Sequence, residues 1–359
     1  VATRTGLCSA FVLALATVAC GGGDDSSDGT PTGPSQPGTP TPTVRYVAPP
    51  PAGSDASNNC LDVNRPCQTP QRAHDVAQPG DTIEVKAGRY DGALVIFRPV
   101  LLKGESNRTT TLAGGITIRA DLGGALRIEN FSIRPGAGGT RTGIDVEQLR
   151  RSDSIRISYV DIAGFSYRGL DVTISQGSFI VEFSSITGIP GSSDDGVNVK
   201  GSAAGTASSN VGFDNVTVSG HGADGLQFAG FDARIIEVKN SLFQANGQAG
   251  LQVETMGSGR LVVSRSCVIE SGQTAQQAGI SVSGLRNAVV EVDTTNIVNN
   301  RSGGAEVDTG STGSVVMRGN YWGKSNGPSV MTPGSGDSVS AGISFTPFAA
   351  TLVPGTPCS

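Results

Sequence analysis

Two adjacent carboxylates, Asp194 and Asp195, stand 27 positions after Arg168, counting from Asp195, and 29 positions before Asp224. Asp171, Asn198, Lys200 and Gln227 lie between or just beyond them. Carboxylates held side by side can share a proton and work as an acid/base pair. They can also hold Ca²⁺ through oxygen ligands. The candidate catalytic residues are therefore Asp194, Asp195, Asp224, Lys200 and Arg168. Asp171, Asn198 and Gln227 are candidate substrate-binding residues, and Asp195 and Asp224 are candidate ligands if Ca²⁺ binds. A plainer reading competes: Asp before Gly is ordinary turn chemistry, and outward polar side chains are simply solvated. A multi-histidine metal centre is excluded, because His74 and His221 are the only histidines.

These residues meet only if the chain returns to one place at intervals of 25 to 29 residues, and the sequence repeats at that interval. Gly-apolar-any-apolar occurs seven times, beginning at Gly143, Gly169, Gly196, Gly225, Gly250, Gly279 and Gly304. A second pattern precedes each glycine, in which Ile128, Ile157, Val181, Phe213 and Val238 share one column. Period-2 strands repeating at this interval are the mark of a solenoid whose coils stack in parallel. The outward column then runs Asp145, Asp171, Asn198, Gln227, Gln252, Ser281, Glu306. The column before each glycine includes Arg168, Asp195 and Asp224. Stacking about 4.8 Å apart brings Arg168, Asp171, Asp195, Asn198 and Asp224 to one surface spot. Only the coil around Gly196 is lengthened on both sides, by the segments 187–195 and 200–210. Insertions of this kind map to the working face of a solenoid.

The ends of such a stack need protection from edge pairing. Residues 69–77 read as a short helix, with Thr69 at the cap and Pro70 at its first position, closing the N-terminal end. His74 reads as a surface residue of that helix. Asn130, Asn215 and Asn240 share a bend column, where Asn side chains bond backbone.

Arg4 followed by the apolar run Phe11–Ala19 reads as an export signal over residues 1–20. Residues 21–43 are Gly, Asp, Ser, Pro and Thr almost throughout, the composition of a disordered linker. The body is expected over 44–359. Cys60, Cys67, Cys267 and Cys358 form an even set in an oxidising compartment. Cys60 and Cys67 close a short loop, which leaves Cys267 to Cys358. A net charge of −5 and 5% aromatics give no footprint for nucleic acid.

Several stretches resemble known families. Thr17-Val18-Ala19-Cys20 with the polar run behind it is similar to the lipobox of bacterial lipoproteins, which implies lipidation at Cys20. The protein would then sit at the cell envelope, touching the membrane through the lipid alone. Cys67-Gln68-Thr69 through Ala73, Gln78-Pro79-Gly80-Asp81-Thr82-Ile83 and Ala87-Gly88-Arg89-Tyr90 resemble the N-terminal cap and first coil of the pectin lyase-like superfamily. Asn320-Tyr321-Trp322-Gly323 and Phe345-Thr346-Pro347-Phe348 resemble a closing coil of its bacterial secreted members. The resemblance implies an all-β, right-handed parallel β-helix with a short N-terminal capping helix. It also implies that, in a uronic-acid lyase, Arg168 or Lys200 would be the base beside Ca²⁺. Asp194-Asp195 and Gly220-His221-Gly222 are similar to the polygalacturonase pattern. Register separates them, however: the column-mate of Asp195 is Asp224, and His221 falls in a turn column with Phe165, Asn246 and Asn300.

The expected function is polysaccharide binding on the lateral face, without a complete catalytic set. The alternatives are a lyase or hydrolase acting on a uronate-rich polymer, and a structural or adhesive surface protein.

Overall fold

A computed structural model describes residues 41–358 apart from 151, 190, 202–208, 233, 274–276 and 331–333. The expected leader with Cys20, and the linker up to residue 40, lie outside the described residues, as does most of the second lengthened segment.

Each Gly-apolar-any-apolar segment opens a strand, as in Ile144–Leu149, Leu170–Ile174, Val197–Gly201 and Leu226–Phe231. These strands pair in parallel, coil upon coil. Ile144 lies beside Leu170, Leu170 beside Val197, and Val197 beside Leu226. The preceding pattern makes a second parallel ladder: Ile128 pairs with Ile157, Ile157 with Val181, Val181 with Phe213 and Phe213 with Val238. A third ladder carries Ile133, Ile162, Ile186, Val218 and Phe243 in one file. The protein is an all-β parallel β-solenoid. Alternation decides what is buried, since one parity of every strand points into the shared interior. Ile128, Ile157, Val181 and Val238 are each 1% exposed or less.

The bends between ladders follow an equally strict register. Two residues after the last inward side chain of the second ladder, the backbone turns left-handed at Asn130, Tyr159, Phe183, Asn215, Asn240, Arg265 and Thr294, with φ between 47° and 65°. Gly164, Gly220, Ala245, Glu270 and Asn299 do the same after the third ladder. The Asn column is thus selected by its tolerance of this conformation. Two of its side chains bond a carboxylate where backbone was expected. Asn215 and Asn240 both donate to the Asp214 carboxylate, at 3.0 and 2.7 Å.

One residue further on, the chain faces inward again and needs polar partners. Val216 N–H donates to Ser241 Oγ, Ser241 N–H to Ser266 Oγ, Ser266 N–H to Thr295 Oγ1 and Thr295 N–H to Asn320 Oδ1, at 2.8–3.4 Å. This side-chain ladder satisfies buried backbone amides at the bends.

Pro70–Val76 (α1) is the one helix among the described residues. Thr69 caps it by accepting the Arg72 N–H at 3.1 Å. It packs on the strands Val44–Val47, Thr82–Val85 and Leu94–Ile96. His74 is not on the helix surface but 1% exposed. The chain leaving Leu94–Ile96 covers it: the Phe97 N–H points to His74 Nε2 at 3.4 Å and the two rings meet edge-on at 4.5 Å.

Disulfides join Cys60 to Cys67 and Cys267 to Cys358. The second holds the C-terminal tail on the third ladder, where Asn296 also accepts the Val353 N–H at 2.8 Å.

The left-handed columns generate a test. Ala245 sits at φ 54° with its side chain exposed, so Ala245→Gly removes strain and little contact. It should stabilise the fold by about 1 kcal/mol, read as a higher urea midpoint. A lower midpoint would contradict the bend geometry.

Candidate functional site

Glycine makes the site possible by letting coils approach closely. A Cβ at Gly169 would lie 2.3 Å from Ile186 Cγ2, and one at Gly196 would lie 2.5 Å from Val218 Cγ1. The residues just before these glycines, Arg168 and Asp195, therefore stand at a tight entry into the strand, with Asp224 in the same place one coil on. Two positions after each glycine the outward column begins. Asp145 pairs with Asp171, Asp171 with Asn198, and Asn198 with Gln227.

Arg168 holds the cluster together. Its Nη1 donates to Asp171 Oδ2 at 3.0 Å, and its Nε lies 3.4 Å from Asp195 Oδ2. The second contact is an ion pair and not a hydrogen bond, so the buried Nε has no acceptor. The guanidinium also covers the Tyr167 ring at 4.6 Å. Asp171 Oδ1 accepts from Asn198 Nδ2 at 3.0 Å, and the Lys200 ammonium stands 3.9 Å away. Asp195 Oδ1 accepts the Asp224 N–H at 3.3 Å, and Asp224 Oδ1 accepts the Ala249 N–H at 2.8 Å.

Six of the expected residues, Arg168, Asp171, Asp195, Asn198, Lys200 and Asp224, thus form one connected network. Asp194 stands apart: its carbonyl takes the Ala223 N–H and its carboxylate faces Ser193 Oγ. Gln227 turns along the column to Gln252 and Glu254. Asp145, Tyr167 and Glu254 join the site without having been singled out for it. Asp145 was visible as the column-mate of Asp171, whereas Tyr167 and Glu254 had no spacing to mark them.

Accessibility divides the network. Asp195 and Asp224 are 7% and 2% exposed, and Asn198 has no exposed surface. The segment before Asp195 folds onto the next turn, where Ser192 Oγ accepts the Gly222 N–H and Asp194 O the Ala223 N–H. Asp171 and Lys200 reach solvent. Burial pushes the Asp195 carboxyl up despite Arg168. Burial and the Asp195 charge push Asp224 up to about 7. Asp145 is raised by burial and by Asp171.

Among the described residues no group of three or more His, Cys, Asp or Glu side chains is arranged to hold a metal ion. Asp195 and Asp224 are joined through the Asp224 backbone N–H. Ca²⁺ asks for six to eight oxygens, and the carboxylates here face Arg168, Asn198 and backbone amides. His221 is 4% exposed, with Nε2 3.3 Å from Ile186 O, and its N–H donates to Asn246 Oδ1. It is a rung of the turn column, and burial holds its pKa down at about 4.

The shifts set a pH dependence. The folded pKa of Asp224 lies above its ordinary value of 3.8. Its contribution to stability is therefore complete below that value and is lost as pH rises towards about 7. His74 and His221 act in the opposite sense, because both are depressed from 6.5 to about 4 and oppose folding as pH falls through that window. Asp224→Asn keeps an acceptor for Ala249 and removes the first effect. It should gain on the order of a few kcal/mol relative to wild type between pH 4 and pH 8, measured as urea midpoints across pH. Parallel profiles for the two proteins would contradict the assignment.

A profile of the right handed beta helix region matches residues 142–321, half of the chain. No curated protein of similar sequence is found. Among solved structures, the Azotobacter vinelandii mannuronan C-5 epimerase AlgE6 A-module is 14% identical with a TM-score of 0.44, over 77% of this chain and 94% of its own. Pectate lyase Pel9A is 16% identical with a TM-score of 0.39, over 90% and 82%. Tailspike protein 2 of Escherichia coli O157:H7 bacteriophage CAB120 is 15% identical with a TM-score of 0.49, over 77% of this chain but 38% of the tailspike. With half its length matched by that profile and its strands stacked as parallel coils, this chain belongs to the right handed beta helix family.

Proposed function

We propose that this chain binds a polysaccharide along the outward column of its first ladder and does not itself cleave it. The observation that carries the reading is the column itself. Asp145, Asp171, Asn198, Gln227, Gln252, Ser281 and Glu306 follow one another without a gap, each beside the next in register. Coils about 4.8 Å apart repeat at nearly the length of one pyranose ring in an extended chain. Asn198 and Ser281 are buried, and the half-buried members Asp145, Asp171, Gln227, Gln252 and Glu306 offer amide and carboxylate hydrogen-bonding partners along the row. Binding is favoured over catalysis because Asp195 and Asp224 are buried and committed to Arg168 and backbone amides. A general acid or base must come within hydrogen-bond reach of its substrate.

Residues 1–20 with a lipid on Cys20 would export and anchor the protein, and 21–43 would hold the body of 44–359 away from the membrane. Two disulfides suit such an oxidising location. In this reading α1 closes the N-terminal end of the stack, and the lateral face is left free for ligand.

One observation favours a hydrolase or lyase as the second reading. Perturbed carboxylates mark functional sites, and Asp224 is strongly raised. A glycan array followed by product analysis separates the two. Binding is expected without release of reducing or unsaturated ends, and the double variant Gln227→Ala/Gln252→Ala should bind about tenfold more weakly, a loss of about 1.4 kcal/mol. A blank array with folded protein would remove the binding reading. Product release abolished by Asp195→Asn would replace it with catalysis.

A further inference from the structure

Two aromatic rings stand in the open at the bend that follows the second ladder, away from the outward column of the first. Tyr159 and Phe183 occupy successive coils of the left-handed column, at φ 56° and 48°. Asn130, Asn215 and Asn240 hold the same column, and asparagine tolerates that backbone where bulky residues do not. The two rings stack, with centroids 5.1 Å apart and planes 8° from parallel, yet they remain 50% and 47% exposed. One stacked pair stabilises less than two left-handed aromatic residues destabilise. The rings thus weaken the fold at positions where asparagine would not, which points to a use outside the fold.

The stack ends at Phe183. Asn215 follows it in the column, and its amide turns aside to the Asp214 carboxylate, as does that of Asn240 in the coil beyond. A flat group laid on the outer face of Phe183 continues the stack at the coil spacing of about 4.8 Å. Around that face lie the amide oxygens of Asn215 and Asn240 and the Tyr159 hydroxyl, which no hydrogen bond among the described residues uses. The bordering charges are closed, Arg127 with Glu129, Arg156 with Glu182 and Lys239 with Asp214. The ligand this chemistry fits is flat and apolar on its face, hydroxyl-bearing at its edge, and uncharged. A neutral pyranose with equatorial hydroxyls has that form, because its axial C–H bonds make the face. An aromatic side chain of a partner protein would cover the ring and leave the amides unmet.

We infer that Tyr159 and Phe183 form a platform for a neutral polysaccharide of equatorially substituted pyranose rings, one ring stacking on the outer face of Phe183 while Tyr159 backs it. This site is separate from the first-ladder column and does not rest on the reading given to that column.

The test is calorimetric titration of the full chain with a β-1,4-linked glucose hexamer. The double variant Tyr159→Asn/Phe183→Asn should bind it at least about tenfold more weakly than wild type. Its urea midpoint should be equal or higher, because asparagine suits the left-handed backbone. Ile235→Thr, which trims an exposed apolar side chain elsewhere on the second ladder, should leave binding unchanged. A galacturonate hexamer, which brings charge and an axial hydroxyl, should bind more weakly than the glucose hexamer. No binding of the glucose hexamer by folded wild type, or equal binding by the double variant, overturns the inference and leaves the first-ladder reading to its own test. A lower urea midpoint with unchanged binding assigns the rings to the fold alone. Wild type that ignores the hexamer but self-associates in sedimentation, with a monomeric double variant, replaces the platform with an interface between copies.

Discussion

The structure depends on one requirement: the backbone amides of each coil must find carbonyls in the coil beside it, at the same position. A parallel stack meets it only in register, because a slip of one residue would turn every inward side chain outward. Register then gives each residue its address. Val181 lies between Ile157 and Phe213 for the same reason that Asn198 lies between Asp171 and Gln227. The apolar file and the functional column are two parities of one constraint. Where a bend interrupts the ladder, Ser241, Ser266, Thr295 and Asn320 supply the missing acceptors from side chains, and the stack continues.

Stacking has an electrostatic consequence. Identical positions in adjacent coils lie about 4.8 Å apart, so like charges in one column repel strongly. The chain limits this in three ways. Arg168 lies between two carboxylates. Asn198 and Gln227 continue the column of Asp145 and Asp171 without adding charge. Asp195 and Asp224, which do stack, are pushed towards their neutral forms by burial. The result is a cluster held by hydrogen bonds whose solvent-facing members are Asp171 and Lys200.

The sequence made most of the architecture legible, because periodicity reports on backbone register. The columns containing Ile128, Ile133 and Ile144 needed only counting. Adjacency at the site followed from the same arithmetic, which is why Arg168, Asp171, Asp195, Asn198 and Asp224 could be placed together. Counting does not say which way a side chain leans or what lies over it. His74 was expected on a helix surface, but its cover comes from Phe97, which a helical pattern does not include. Asn130, Asn215 and Asn240 were recognised as a column. Their role was not, since Tyr159, Phe183 and Thr294 adopt the same left-handed backbone without the residue type that signals it. Burial of Asp195 and Asp224 was likewise unreadable, because it depends on how the segment before Asp195 folds back onto Gly222 and Ala223.

The register of the outward column is the central claim, and a distance across it is the most direct test. Nitroxide labels attached through encoded ketone side chains at positions 145 and 306 would be separated by six coil spacings, about 29 Å. Pulsed electron resonance should return a single narrow distribution near that value, widened only by the label arms. A broad distribution, or a peak that does not scale with the number of coils when the second label moves to position 227, would contradict the account.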